Sequence, residues 1–261
     1  GCRTTSGDFC PDTFAKSANL DQVKMIEIKI SQGAKPSHGG VLPAAKVSPE
    51  IALSRHVEVG KDVLSPATHS AFTTPLELLD FVTHLRQLSG GKPIGIKLCI
   101  GLRHEFMAIC KAMLQSGVTP DFITVDGAEG GTGAAPLEYS NRFGLPCIEG
   151  VNFVHNCLLG AGLRDDIKII ASGHTASGFH VVEKIAAGAD VCNAARTMML
   201  ALGCIQSIAC NTNKCPTGIA TQDPKRSKAL DIESRYMRVA NYQDLTLHSF
   251  FELVGAMGFD D

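Results

Sequence analysis

Phe122-Ile123-Thr124-Val125-Asp126-Gly127-Ala128-Glu129-Gly130-Gly131-Thr132-Gly133 is a short apolar, partly β-branched run that breaks straight into a polar, glycine-rich loop. Such a run reads as a buried strand, and the glycines after Asp126 read as its exit. The same unit recurs. Strand-like runs at 26–31, 63–65, 93–100, 122–126, 167–172 and 190–194 alternate with stretches of helical periodicity. Leu76, Leu78, Leu79, Val82, Leu85 and Leu88 lead to Gly90-Gly91. Phe106, Ile109, Cys110, Met113 and Leu114 lead to Gly117, and Val181, Val182, Ile185 and Ala186 to Gly188. Glycine just past the last apolar turn is the expected helix stop.

Near-continuously apolar strands alternating with helices imply a parallel sheet covered by helices. Polar and glycine residues gather after the strands, at 32–40, at 127–133, at Gly173-His174 and at Arg196. A closed barrel brings all such loops to one face, whereas an open doubly wound sheet concentrates binding at one switch point. The expected fold class is therefore α/β, a (β/α)8 TIM barrel. Six strand-like runs are present where eight are needed, and the first 25 residues are too few for two more. The barrel is expected to lack its first two strands.

Composition narrows the function. The chain has 261 residues, 44% hydrophobic and 19% charged, with a net charge of −2, an ordinary globular balance. That charge gives no reason to expect a nucleic-acid partner. No apolar run approaches the roughly 18–20 residues that span a bilayer, and no basic-then-apolar leader is expected. The chain opens on Gly1-Cys2, so residue 1 is not expected to be a translation start. It holds 10 cysteines and no tryptophan. Cys99, Cys110, Cys157 and Cys192 fall in apolar stretches and read as small buried hydrophobes. A reducing cytoplasm is the expected compartment.

The strongest motif is Cys204-x5-Cys210-x4-Cys215-Pro216. Three thiolates around a loop of Asn211, Thr212, Asn213 and Lys214 can wrap a soft metal centre, and a terminal Cys-Pro occurs in ferredoxin-type runs. Zinc sites favour shorter gaps and four ligands. Packing cysteines have little reason to sit in so polar a loop. Three ligands suit a three-iron cluster, and a fourth from elsewhere permits four irons.

Lys29 to Gly40 is the second motif. Lys29 closes a strand between Ile28 and Ile30, where a buried charge must be paired or functional. With Gln32 and Lys35 it suits a substrate bearing carboxylates or a carbonyl. Lys35 reads equally well as a solvated loop lysine. Lys97, in Gly95-Ile96-Lys97-Leu98-Cys99, is a second lysine in an apolar strand. It is expected to point into the barrel lumen, facing a bound group or paired with Asp126. Asp126 to Gly133 can nest an anion, although its spacing is no nucleotide fingerprint. Ser172-Gly173-His174 and Ala194-Ala195-Arg196 close the last two strands, where barrels usually hold phosphate. The remaining histidines read as structural, and no nucleophile elbow supports hydrolysis.

Taken in order, several segments resemble the FMN-binding domain of glutamate synthases, and most closely the stand-alone glutamate synthase-like proteins. They are the run from Ile28 to Pro36, Ser65-Pro66, Lys97-Leu98, the run from Gly130 to Ala134, Ala201-Leu202-Gly203-Cys204, and the run from Cys215 to Asp223. The resemblance implies a barrel of the FMN-linked oxidoreductase type, with residues 1–225 forming its FMN-binding part and 226–261 a helical extension. It implies FMN and a [3Fe-4S] cluster as cofactors, with Cys204, Cys210 and Cys215 as cluster ligands. It implies that 2-iminoglutarate, made from 2-oxoglutarate and ammonia or an amine, is reduced to L-glutamate. Lys29, Gln32 and Arg55 look like 2-oxoglutarate contacts, Lys35 like an active-site lysine, and Lys97 like the flavin-side cation. Asp126, Gly130 and Gly131 look like further cofactor contacts, and Gly173, His174, Ala195 and Arg196 like the phosphate loops.

An electron-donor protein or ferredoxin, and a homo-oligomer or a second chain completing the barrel, are the implied partners. The sequence departs from the large enzymes at Ser37-His38, where they carry Gly-Glu, and at Val41, where they carry glutamine. Their substrate-contacting glutamate loop and amidotransferase domain are not expected within these 261 residues. The alternatives are an N-methylglutamate synthase-type subunit, an FMN-dependent 2-hydroxy acid oxidase, which should show a His-x-x-Arg that is not found, and an inactive truncated barrel.

Overall fold

The computed structural model describes residues 2–4, 6–35, 39–131 and 133–259. Pro36, Ser37, His38 and Thr132, quoted above, lie outside the described residues. The elements in chain order are α1 (Pro11–Ala18), β1 (Ile26–Lys29), β2 (Val41–Leu42), α2 (Pro49–Arg55), β3 (Val63–Leu64), α3 (Pro75–Leu88), β4 (Ile94–Leu98), α4 (Arg103–Ser116) and β5 (Phe122–Asp126). They continue with α5 (Cys147–Gly160), β6 (Lys168–Ser172), α6 (Gly178–Ala186), β7 (Val191–Asn193), α7 (Arg196–Ala201), α8 (Pro224–Ser227) and α9 (Ile232–Ala256).

Five parallel strands form one sheet in the order β1-β4-β5-β6-β7. Each strand later in the chain lies one place further across, and the order never reverses. That is barrel-type winding; a doubly wound sheet would turn back on itself. One expectation is corrected. The run at 63–65 does not join the arc: β3 pairs antiparallel with β2 in a separate two-stranded sheet. At two residues, with Leu64 68% exposed, it has too little apolar surface to be held between covered strands.

The register sorts the side chains. Ile28, Ile96, Ile123 and Ile169 align across four strands and are 5% exposed or less. This row faces the helices, where Leu79 and Val82 of α3, Met113 of α4 and Val151, Val154 and Leu158 of α5 complete the core. The next row, Lys29, Lys97, Thr124, Ile170 and Val191, points the other way. On this row Thr124 is buried, whereas Lys29 and Val191 are exposed. Lys29 was expected to be buried. It is exposed at the carboxyl end of β1, though still partly desolvated.

Local chemistry sets the helix ends. Thr74 and Glu77 form a capping box ahead of Pro75, and α4 stops at Gly117 in the left-handed region. At the amino ends of the strands, Asp121 accepts the Ile94 N–H and pairs with Arg86. Asp190 likewise accepts the Ile169 N–H and pairs with Arg164. These pairs clamp the end of the sheet away from the loops. The C-terminal helix α9 packs along α6 and α7, and no helix is long and apolar enough to cross a membrane among the described residues.

Candidate functional site

Asp126, at the carboxyl end of β5, organises the loop face. Its Oδ2 accepts the Gly33 N–H at 2.9 Å, its Oδ1 accepts the Ser172 hydroxyl at 2.9 Å, and Lys97 Nζ lies 3.5 Å from Oδ1. Four strand ends are thereby joined through one carboxylate. The loop after β1 approaches so closely that a Cβ on Gly33 would lie 1.6 Å from the Gly127 carbonyl oxygen. Only glycine permits that contact. Lys97 lies on the strand face opposite the helix-covered row and is paired with Asp126, which is the second of its two readings.

Lys29 donates to Gln32, and Lys35 Nζ donates to the Gly39 carbonyl at 3.1 Å. Lys35 is 6% exposed, so the solvated-lysine reading is corrected. These three residues line a cavity of about 360 Å³ together with Ser65, His69 and Cys2. Desolvation, then the nearby Lys97 and, more weakly, Lys35, hold Lys29 below the ordinary lysine range, against Asp126 and Glu27. Such a cluster of cations favours an anionic occupant. Arg55 is not part of it: it is the exposed last residue of α2 and is absent from the cavity's described lining. Helix α2 ends in the left-handed His56, which leaves Arg55 facing solvent.

A second group lies across β5, β6 and β7. His174 is exposed and adopts φ +48°, and Ala195, also exposed, caps the start of α7. Arg196 donates to the Gly131 carbonyl, lying over Gly130. The Thr197 hydroxyl donates to the Thr175 carbonyl at 3.0 Å. Gly173 sits against Cys147 and the Glu129 carboxylate. That carboxylate accepts the Cys147 N–H at 2.8 and 3.0 Å, at the amino end of α5, where a negative group is favoured. Thr175 is 7% exposed and its hydroxyl has no partner among the described residues. Ser172, Thr175 and Glu129 were not singled out for these roles. Ser172 alone carried a signal, standing at a strand end beside a glycine.

The thiol loop docks beside this group. Lys46 Nζ donates to the Cys210 carbonyl at 2.6 Å, and a Cβ on Gly133 would lie 2.2 Å from the Ile208 carbonyl oxygen. Cys204 Sγ accepts the Gln206 N–H at 3.4 Å. Burial pushes the Cys215 thiol up, but hydrogen bonds from the Thr217 hydroxyl and the N–H groups of Ala220, Thr217 and Ile219 outweigh it, bringing it down to about 7. The donor chemistry suits a soft metal. The three side chains are not drawn together, however: among the described residues no three His, Cys, Asp or Glu groups assemble to hold a metal ion. By contrast, desolvation pushes Cys99 and Cys110 up to about 11 and Cys147 to about 12, as expected of packing thiols.

Residues 4–260 match the family described as the conserved region in glutamate synthase. The glutamate synthase large subunit-like protein YerD of Bacillus subtilis is 43% identical over 100% of this chain and 49% of its own. An archaeal glutamate synthase [NADPH] of Methanocaldococcus jannaschii is 39% identical over 90% of this chain and 46% of its own. The chain thus spans about half the length of these curated relatives. Among solved structures, a mutant flavocytochrome b2 with pyruvate bound is similar with a TM-score of 0.45 and 16% identity, over 90% of this chain and 47% of the other.

Proposed function

This chain belongs to the glutamate synthase family, and from that premise we propose that the protein carrying it reduces 2-iminoglutarate to L-glutamate with FMN and an iron–sulfur cluster. The observation that supports this best is the single carboxylate of Asp126 joining the ends of β1, β4, β5 and β6 beside a lysine-lined cavity.

Lys29, Gln32 and Lys35 are the proposed contacts for the substrate's carboxylates, each a donor suited to a dicarboxylic 2-oxo acid. Lys97 is the proposed cation facing the flavin ring, held in place by Asp126. Gly130, Gly131, Gly173, His174, Ala195 and Arg196 are the proposed hold on the flavin and its phosphate. The unpartnered Thr175 hydroxyl and the left-handed His174 fit a turn built around an anion. Reduced FMN would supply the hydride for the imine carbon. The soft donors of Cys204, Cys210 and Cys215 fit a [3Fe-4S] cluster by chemistry, and the thiol loop lies against the loop after β5. An electron donor, either NADPH-linked or ferredoxin, and a cytoplasmic setting complete the reading.

The test is an absorbance spectrum with iron and acid-labile sulfide on anaerobically purified full-length protein, followed by assay of 2-oxoglutarate- and ammonia-dependent glutamate formation. Flavin bands without iron remove the cluster; a colourless, inactive protein removes the whole proposal.

A further inference from the structure

Lys184 is the largest fully buried side chain among the described residues, at 1% exposed. A buried ammonium costs several kcal/mol unless it is well paired. Yet no carboxylate pairs with it among the described residues. Its Nζ donates to the carbonyls of His174 at 3.5 Å and His180 at 3.3 Å. A leucine would fill this place on α6 more cheaply, so the charge needs a reason.

The reason lies in the turn above it. The carbonyls of three consecutive residues are each taken by a side chain from a different helix. Lys184 of α6 holds His174, Thr197 of α7 holds Thr175 at 3.0 Å, and Tyr242 of α9 holds Ala176 at 2.5 Å. Within a planar trans peptide, the C=O and the following N–H point in opposite directions. Carbonyls drawn toward the helices therefore leave the N–H groups of Thr175, Ala176 and Ser177 directed away from them. No hydrogen bond from these three N–H groups occurs among the described residues. The buried Thr175 hydroxyl beside them is also unpartnered. Successive unpaired N–H groups, an orphaned hydroxyl and a nearby fixed cation make a receptor for an anion with several acceptor oxygens.

We propose that Lys184 is a positioning residue which, with Thr197 and Tyr242, pins the carbonyls of 174–176 so that the turn presents its N–H groups to the phosphate of the flavin. This rests on the FMN reading above and adds the residues that shape its phosphate turn. Lys184 does not touch the phosphate; it acts through the peptide of His174.

The experiment compares FMN with riboflavin, which lacks the phosphate, on full-length protein by fluorescence titration. Amide hydrogen exchange is measured across 174–177 in the same samples. Lys184→Met should weaken FMN at least tenfold while changing riboflavin less than twofold, and should quicken exchange in the turn. Tyr242→Phe, which removes one hydroxyl from a half-buried residue, should do the same to a smaller degree and covers the case in which the lysine variant does not fold. Equal weakening of both flavins, or unchanged exchange in the turn, overturns the proposal. Wild-type protein that binds neither flavin, with exchange still quickened in the variants, sinks the FMN reading but leaves the pinning of the turn intact.

Discussion

Asp126 reaches 93 residues back along the chain to accept the Gly33 N–H at 2.9 Å, and the same carboxylate holds Ser172 and Lys97. Replacing it with alanine leaves a backbone N–H, a hydroxyl and an ammonium without their acceptor. Each orphaned group costs about 1–3 kcal/mol, so Asp126→Ala should lose about 3 kcal/mol in urea unfolding. Asp126→Asn keeps one acceptor oxygen and should lose less. Equal stability of the alanine variant and wild type would show that these contacts do not organise the loop face.

Gly33→Ala tests the same junction without touching charge. Its Cβ would overlap the Gly127 carbonyl oxygen, at 1.6 Å, and backbone on both sides must move. The expected result is displacement of the loop after β1 and at least a tenfold loss of flavin affinity, read by fluorescence quenching. Binding within twofold of wild type contradicts it.

The opposite end of the sheet should behave as structure alone. Arg164 donates to Asp190, to the Ile167 and Gly188 carbonyls and to His155. Arg164→Met takes the ion-pair partner from Asp190, which keeps only the Ile169 N–H, and the donor from two carbonyls, at a cost of about 2–3 kcal/mol. Ligand affinity at saturating protein stability should not change. A selective loss of flavin binding, with the unfolding midpoint unmoved, is the contrary result.

Cys147 links stability to pH. Burial holds its thiol protonated in the folded chain up to about 12, against an ordinary value of 9.0. Above pH 9 the unfolded thiol ionises while the folded one does not, so folded stability falls as pH rises from 9 toward 12. Cys147→Ala removes this linkage. The stability gap between wild type and variant should therefore narrow through that window, measured as urea midpoints at a series of pH values. A constant gap contradicts the burial of this thiol.

The thiol loop gives a metal test. If Cys204, Cys210 and Cys215 hold one cluster, serine at any one of them should remove most of the iron and sulfide together, while serine at Cys110 removes none. Iron retained in all three single variants excludes them as a ligand set.

Much of the architecture was legible in the chain. Apolar runs set the strands at 26–31, 93–100, 122–126, 167–172 and 190–194, and glycines placed the ends of α3, α4 and α6, because strand burial and helix termination are local demands on residue type. Lysines in apolar strands and polar residues at strand ends marked the loop face for the same reason. The run at 63–65 misled, since a strand-like composition does not say which partner will pair with it.

What the chain could not settle by itself was everything that depends on distance between loops. Whether Arg55 joins the lysines, whether Lys35 is buried, and whether three thiols converge are set by how the arc of strands curves, not by spacing along the sequence. Lys184 shows the limit most clearly. In sequence it is one cation in an amphipathic helix, and only the packing of α6 against the turn at 174–176 buries it and gives its ammonium a carbonyl to hold.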